Sequence, residues 1–192
     1  MKVILFGASG LVGQGVVGEC LLEPTVGHAL SIVRNPTGKQ HAKLTELVHK
    51  DFLDLSSIES QLMGTVAAAQ TLARINPTMI FIFVSGTGSD STEQGSTMWA
   101  RVKGKTKNAL LRLPFKAVYI FRPAGIQPLH GIQSRTPSYC VLYALAKPVF
   151  ALLKRLLPNH ITTTEHLGRA MIRVAKNGFP KPILEARDIN QA

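Results

Sequence analysis

Apolar residues along this chain fall into two patterns. Short runs rich in apolar and β-branched residues occur at residues 3–6, 29–33, 45–48, 79–84 and 117–121, as strands buried in a sheet require. Between them apolar positions recur at helical spacing, over residues 11–22, 66–75 and 98–113 and again from residue 162 onward. Ser56 with Glu59 and Thr162 with Glu165 have capping-box spacing and predict two helix starts. The punctuation falls where it should, at "EPTVG", Asn76-Pro77 and Asn177-Gly178. Strands alternating with helices predict an α/β, doubly wound, mostly parallel sheet flanked by helices, of Rossmann type. A right-handed crossover after the third strand should place the fourth on the far side of the first. The predicted order is 3-2-1-4-5, with the strand beginning near Met79 beside the strand beginning near Val3.

The longest apolar stretch, "YCVLYALAKPVFALLKRLL" at residues 139–157, is interrupted by Lys147-Pro148 and charged at its end by Lys154-Arg155. A kinked amphipathic helix covering a pocket fits better than a membrane span, with peripheral membrane contact as the lesser alternative. Residues 127–161 are accordingly expected to form a small helical lid on the substrate side. Repeats and low-complexity tracts are absent from the sequence.

A chain of 192 residues with 45% hydrophobic content can bury one good core, so residues 1–192 are expected to form one domain. Two cysteines, Cys20 and Cys140, make no disulfide framework, and no cationic, apolar and small-residue leader opens the chain. A cytoplasmic location is the expectation. The six histidines lack metal spacing, and no metal is expected. Charge changes the picture more. Residues 1–100 hold six basic and eight acidic side chains, whereas residues 101–192 hold sixteen and three. The basic half suits phosphorylated ligands, anionic membrane or an acidic protein partner. Nucleic acid is disfavoured, because no recognition signature accompanies the charge.

Candidate chemistry starts at "FGASGLVG". The first strand passes straight into Gly7-x-x-Gly10-x-x-Gly13 and then a helix, the context in which this spacing cradles a pyrophosphate. A free ribose 2′-hydroxyl is met after the second strand by Asp or Glu, yet this chain has Arg34, with Lys39 nearby and no acid before Glu46. That combination favours NADP(H) over NAD(H). Asp51 could accept a hydrogen bond from an adenine amino group.

Ser85 after a buried strand, Lys103 in the next helix and Arg122-Pro123 after the following strand complete a pattern. With the glycine turn, it resembles the atypical short-chain dehydrogenase/reductases, and within them the small Tat-interacting-oxidoreductase-like branch, similar to NAD(P)-dependent epimerases. The resemblance implies that Gly7, Ser9, Gly10, Leu11 and Val12 line the pyrophosphate, that Arg34 meets the 2′-phosphate, and that Asp51 and Phe52 border the adenine. It further implies that Lys103 holds the nicotinamide ribose and that Arg122, Pro123 and Ile126 lie along the nicotinamide side. Ser85 and Thr87 would polarise a carbonyl of a small substrate. Two departures stand out. The family's Tyr-x-x-x-Lys is Trp99-Ala100-Arg101-Val102-Lys103 here, and an indole N–H does not deliver a proton. Between Leu62 and Thr65 the family carries a further strand and loop that this chain lacks, so the sheet is expected to be one strand short or to have lost a piece. An NADP(H)-dependent oxidoreductase and a non-catalytic NADP(H)-sensing scaffold are both compatible with this sequence.

Overall fold

The computed structural model describes residues 1–49, 58–86, 92–94, 97–129 and 160–192, but not the side chains of residues 58–63 and 99. In chain order the elements are β1 (Lys2–Phe6), α1 (Leu11–Leu22), β2 (His28–Val33), β3 (Leu44–Val48), α2 (Ile58–Ile75), β4 (Ile80–Val84), α3 (Met98–Leu111), β5 (Ala117–Arg122), β6 (Gly125–Gln127), β7 (Ile161–Thr163), α4 (Thr164–Asn177), β8 (Ile183–Glu185) and α5 (Ala186–Gln191). Every pairing among the described strands is parallel. The strands assemble as β1-β2-β3, β4-β5-β8 and β6-β7.

The apolar runs are unbroken because both of their faces are covered. In β5, Val118 and Ile120 join Ala69 of α2 and Leu110 of α3, while Tyr119 and Phe121 join Leu167, Ala170 and Val174 of α4. β4 divides the same way, Phe81 and Phe83 toward α2 and α3, Ile80, Ile82 and Val84 toward α4. On the other sheet, Val3 and Leu5 pack with Val16 and Cys20 of α1 and Ile172 of α4. Val12 and Met171 touch the cores of both sheets, so one layer made of α1 and α4 covers the two. These helices cross closely: a Cβ on Gly15 would stand 2.7 Å from Thr164 Cβ.

The predicted order needs correction at its centre. Within each half the strands lie as expected, but no pairing joins β1 to β4. The cause lies in α2. Where the pattern suggests two helical segments, a single helix of 18 residues runs through Gly64, since one glycine costs a helix only about 1 kcal/mol. Through Ala69 this helix docks over β4 and β5, and it delivers the chain there with no described strand on the free side of β1. β1 and β4 thus each keep an edge that no described strand pairs. Their burial reflects it: β4 is half-buried along its whole length, whereas β5 is fully buried at four successive residues.

The start of α4 is a second correction. Thr163, not Thr162, caps it, its Oγ1 accepting from His166 N at 3.0 Å, while Glu165 pairs with Arg169. Thr162 is committed to β7, in register with Ile126 of β6, so the helix begins one residue later. Gly178, with φ +77°, stops it as expected. The three-residue strands β6, β7 and β8 and the short α5 are too brief to leave a period in the sequence. The capping box at Ser56 and the expected kinked helix at 139–157 lie outside the described residues, and so does most of the expected lid. Among the described residues, no helix is long and apolar enough to cross a membrane.

Candidate functional site

The glycine turn after β1 is built by backbone alone. Gly7 adopts φ +70°, a left-handed conformation that favours glycine, and its carbonyl accepts from Gly10 N at 2.9 Å. Gly13 sits against this turn: a Cβ there would meet Gly7 O at 2.2 Å and Ala8 Cα at 2.7 Å. Gly10 caps α1 in extended geometry without a side-chain cap, and the first helical turn holds no acidic residue. Its N–H groups and the positive end of the helix dipole are therefore available to an anion. The residues assigned to the pyrophosphate, Gly7, Ser9, Gly10, Leu11 and Val12, all lie along this turn and the first turn of α1, with the Val12 side chain packed into both cores.

Beside the turn lies a cavity of about 230 Å³, lined by Ser9, Gln14, Ser31, Thr37, Lys39 and Glu46. It is smaller than the roughly 300–1,000 Å³ of a pocket that swallows a whole ligand, and of a size for one end of a larger one. Gln14 Nε2 donates to Ser9 O at 3.1 Å and fixes one wall. Ser31 is 1% exposed, and among the described residues its Oγ has no hydrogen-bond partner. A buried hydroxyl left so is costly unless something meets it. Glu46 lies opposite Ser31 in the β2–β3 register, and its Oε2 accepts from Thr37 N at 3.0 Å while Oε1 accepts from the Thr37 hydroxyl. Gly38, at φ +76°, then turns the loop so that Lys39 reaches the cavity. Arg34 follows β2 directly and is exposed, outside the cavity lining.

A second group forms at the carboxyl end of β4. Ser85 N donates to Phe121 O at 2.9 Å, holding the residue against β5, and its buried Oγ has no partner among the described residues. Lys103 Nζ donates to Ser85 O at 3.0 Å, and partial burial pulls its ammonium below the ordinary lysine pKa. α3 thus brings Lys103 to Ser85 from 18 residues away. Trp99 lies one turn earlier in the same helix, its side chain outside the description, and Asp51, Phe52 and Thr87 lie outside the described residues. Arg122 is drawn to Glu185, Nη1 to Oε1 at 2.6 Å. Pro123 is buried, and Ile126 packs on the core around Phe121.

Sequence reasoning missed Gln14, Ser31, Thr37 and Glu46. The one signal for them was a serine inside an otherwise apolar strand. Among the described residues, no three His, Cys, Asp or Glu side chains could share a metal ion.

No family model matches the chain, and no curated protein matches it in sequence. Solved structures do resemble it. The Aureusimine biosynthetic cluster reductase domain is 13% identical over 96% of this chain and 66% of its own, with a TM-score of 0.65. The Bordetella bronchiseptica enzyme WbmH, solved in complex with NAD+, is 17% identical over 92% of this chain and 72% of its own, TM-score 0.58. A short-chain dehydrogenase/reductase family oxidoreductase from Burkholderia thailandensis is 13% identical over 97% and 91%, TM-score 0.53. The chain spans about two thirds of the length of the reductase domains it resembles. At such identities the likeness carries the fold, and with the parallel pairings above it establishes that this chain has a Rossmann-like fold, mostly parallel sheets flanked by helices.

Proposed function

We propose that the chain binds NADP(H) at the β1–α1 turn and acts as an oxidoreductase of the atypical short-chain class on a small carbonyl compound. One observation carries this reading: the cavity beside the α1 N-terminus combines a buried hydroxyl that no described residue meets, Ser31, with a cation, Lys39, and one carboxylate, Glu46. A polar cavity of this make-up next to uncapped helix amides fits a phosphorylated adenosine. Arg34, free of the cavity wall at the end of β2, adds a second cation for a 2′-phosphate, and Asp51 and Phe52 would border the adenine. Gly7, Ser9, Gly10, Leu11 and Val12 would line the pyrophosphate.

When bound, the cofactor supplies or accepts a hydride. The chain's own residues then have separate tasks. Lys103, held on the Ser85 carbonyl, would grip the nicotinamide ribose, with Pro123 and Ile126 along the ring. Ser85 Oγ would orient the substrate carbonyl. Trp99 stands where a phenol would donate the proton, a contribution of about 10²- to 10⁴-fold in general acid catalysis. That substitution favours a second reading, an NADP(H)-sensing protein without turnover, in which the basic half meets an acidic protein partner.

The first test is direct titration with NADPH and NADH. Tighter binding of NADPH, with the preference removed by Arg34→Ala, is expected; equal affinity for both sinks the NADP(H) assignment. The second measures NADPH oxidation against aldehydes, ketones and quinones for the unmutated chain, Trp99→Tyr and Lys103→Ala. A rise with Trp99→Tyr supports the oxidoreductase, and silence from all three with NADPH still bound supports the sensor.

A further inference from the structure

The same loop that offers cations to a 2′-phosphate is fastened by a carboxylate. Thr37 has two groups that could donate to an anion in the cavity, its N–H and its hydroxyl, and both are given to Glu46. Thr37 Oγ1 in turn accepts from Lys39 N at 3.4 Å. Glu46 is anchored in β3 opposite Ser31 and lines the cavity beside Lys39. A phosphate dianion entering beside Lys39 would therefore meet a negative charge, and would find both Thr37 donors already spent. A bare ribose hydroxyl would meet no such repulsion.

We infer that Glu46 is a specificity-determining residue for the cofactor, an acidic latch that holds the loop of residues 34–39 and opposes a 2′-phosphate. The inference rests on the proposed dinucleotide reading. In it, Arg34 and Lys39 draw the phosphate and Glu46 sets how strongly they must do so. Cofactor choice is then a balance between two cations at the loop and one carboxylate in the neighbouring strand, and the carboxylate is the part that substitution can remove without touching a phosphate ligand.

The probes are 2′,5′-ADP and 5′-AMP, which report the adenosine end apart from any nicotinamide chemistry, titrated by calorimetry into the full chain and into Glu46→Gln. The amide keeps the shape and one acceptor for Thr37 but removes the charge. Glu46→Gln should bind 2′,5′-ADP about tenfold tighter, the order of one partly screened like-charge contact, with 5′-AMP changed less than about twofold. Thr37→Val, which removes a donor and leaves the carboxylate, should not tighten 2′,5′-ADP. Equal changes for both nucleotides in Glu46→Gln would show a merely structural role, and weaker 2′,5′-ADP binding would show that Glu46 assists the phosphate; either overturns the latch while leaving the dinucleotide reading intact. Failure of both nucleotides to bind either protein overturns both proposals.

Discussion

Gly13 is where the glycine turn can be perturbed most cleanly. An alanine Cβ there would stand 2.2 Å from Gly7 O, 2.7 Å from Ala8 Cα and 2.8 Å from Gly7 C. All three are backbone atoms, so no side chain can swing aside. Overpacking typically costs about 1–3 kcal/mol, and contacts this short belong at the upper end. Against that, glycine to alanine inside a helix gains about 1 kcal/mol. The expected net loss for Gly13→Ala is about 2 kcal/mol, near a thirtyfold change in the folded-to-unfolded ratio. Gly18, in the same helix, supplies the control: nothing lies within 4 Å of a Cβ built on it. Gly18→Ala should therefore stabilise by about 0.5–1 kcal/mol. Urea unfolding followed by far-ultraviolet circular dichroism measures both, and NADPH titration measures the turn. Opposite signs are expected, with NADPH affinity lost in Gly13→Ala alone. A Gly13→Ala protein as stable as the unmutated chain would show that α1 does not press on the β1 turn, and would refute the packing described for this site.

Hydrogen exchange should register the edges that no described strand pairs: amides of residues 2–5 and of β4 that do not face β2 or β5 should exchange well before those of β2 and β5, and uniform protection across all four strands would mean that something pairs with the edges. Cys20 should resist alkylation in the native protein at mildly alkaline pH, because burial first and the neighbouring Glu19 second push its thiol up to about 11 from 9.0. The sign follows from which state holds the proton. Above pH 9 the unfolded chain releases it while the native chain keeps it, so this contribution to stability is complete below pH 9 and is lost as pH rises toward about 11. Unfolding titrations of the unmutated chain and Cys20→Ala should converge over that window, and rapid native labelling of the Cys20 peptide would contradict its burial.

Several features were legible in the residues alone because they are local. The bounds of α1 follow from a strand that stops at Phe6, before the Gly7 turn, and a helical repeat that ends at Leu22. β4 and β5 are unmistakable because strands covered on both faces must be apolar at successive positions, and Gly178 ends α4 because the backbone there needs a left-handed residue. The family resemblance implies separate roles for Ser85 and Lys103, and their meeting is a property of the fold: α3 packs so that the lysine reaches the carbonyl at the end of β4. The break between the described strands β1 and β4 was not legible, since periodicity tells which faces of an element are buried and is silent on which strand lies beside which. That was decided by Ala69 of α2 seating on β5 and by α1 and α4 roofing both sheets. The meeting of Ser31, Thr37, Lys39 and Glu46 was equally hidden. It depends on the register of β2 against β3 and on one loop turning back at Gly38, so residues unremarkable along the chain become a charged cavity only when the strands align.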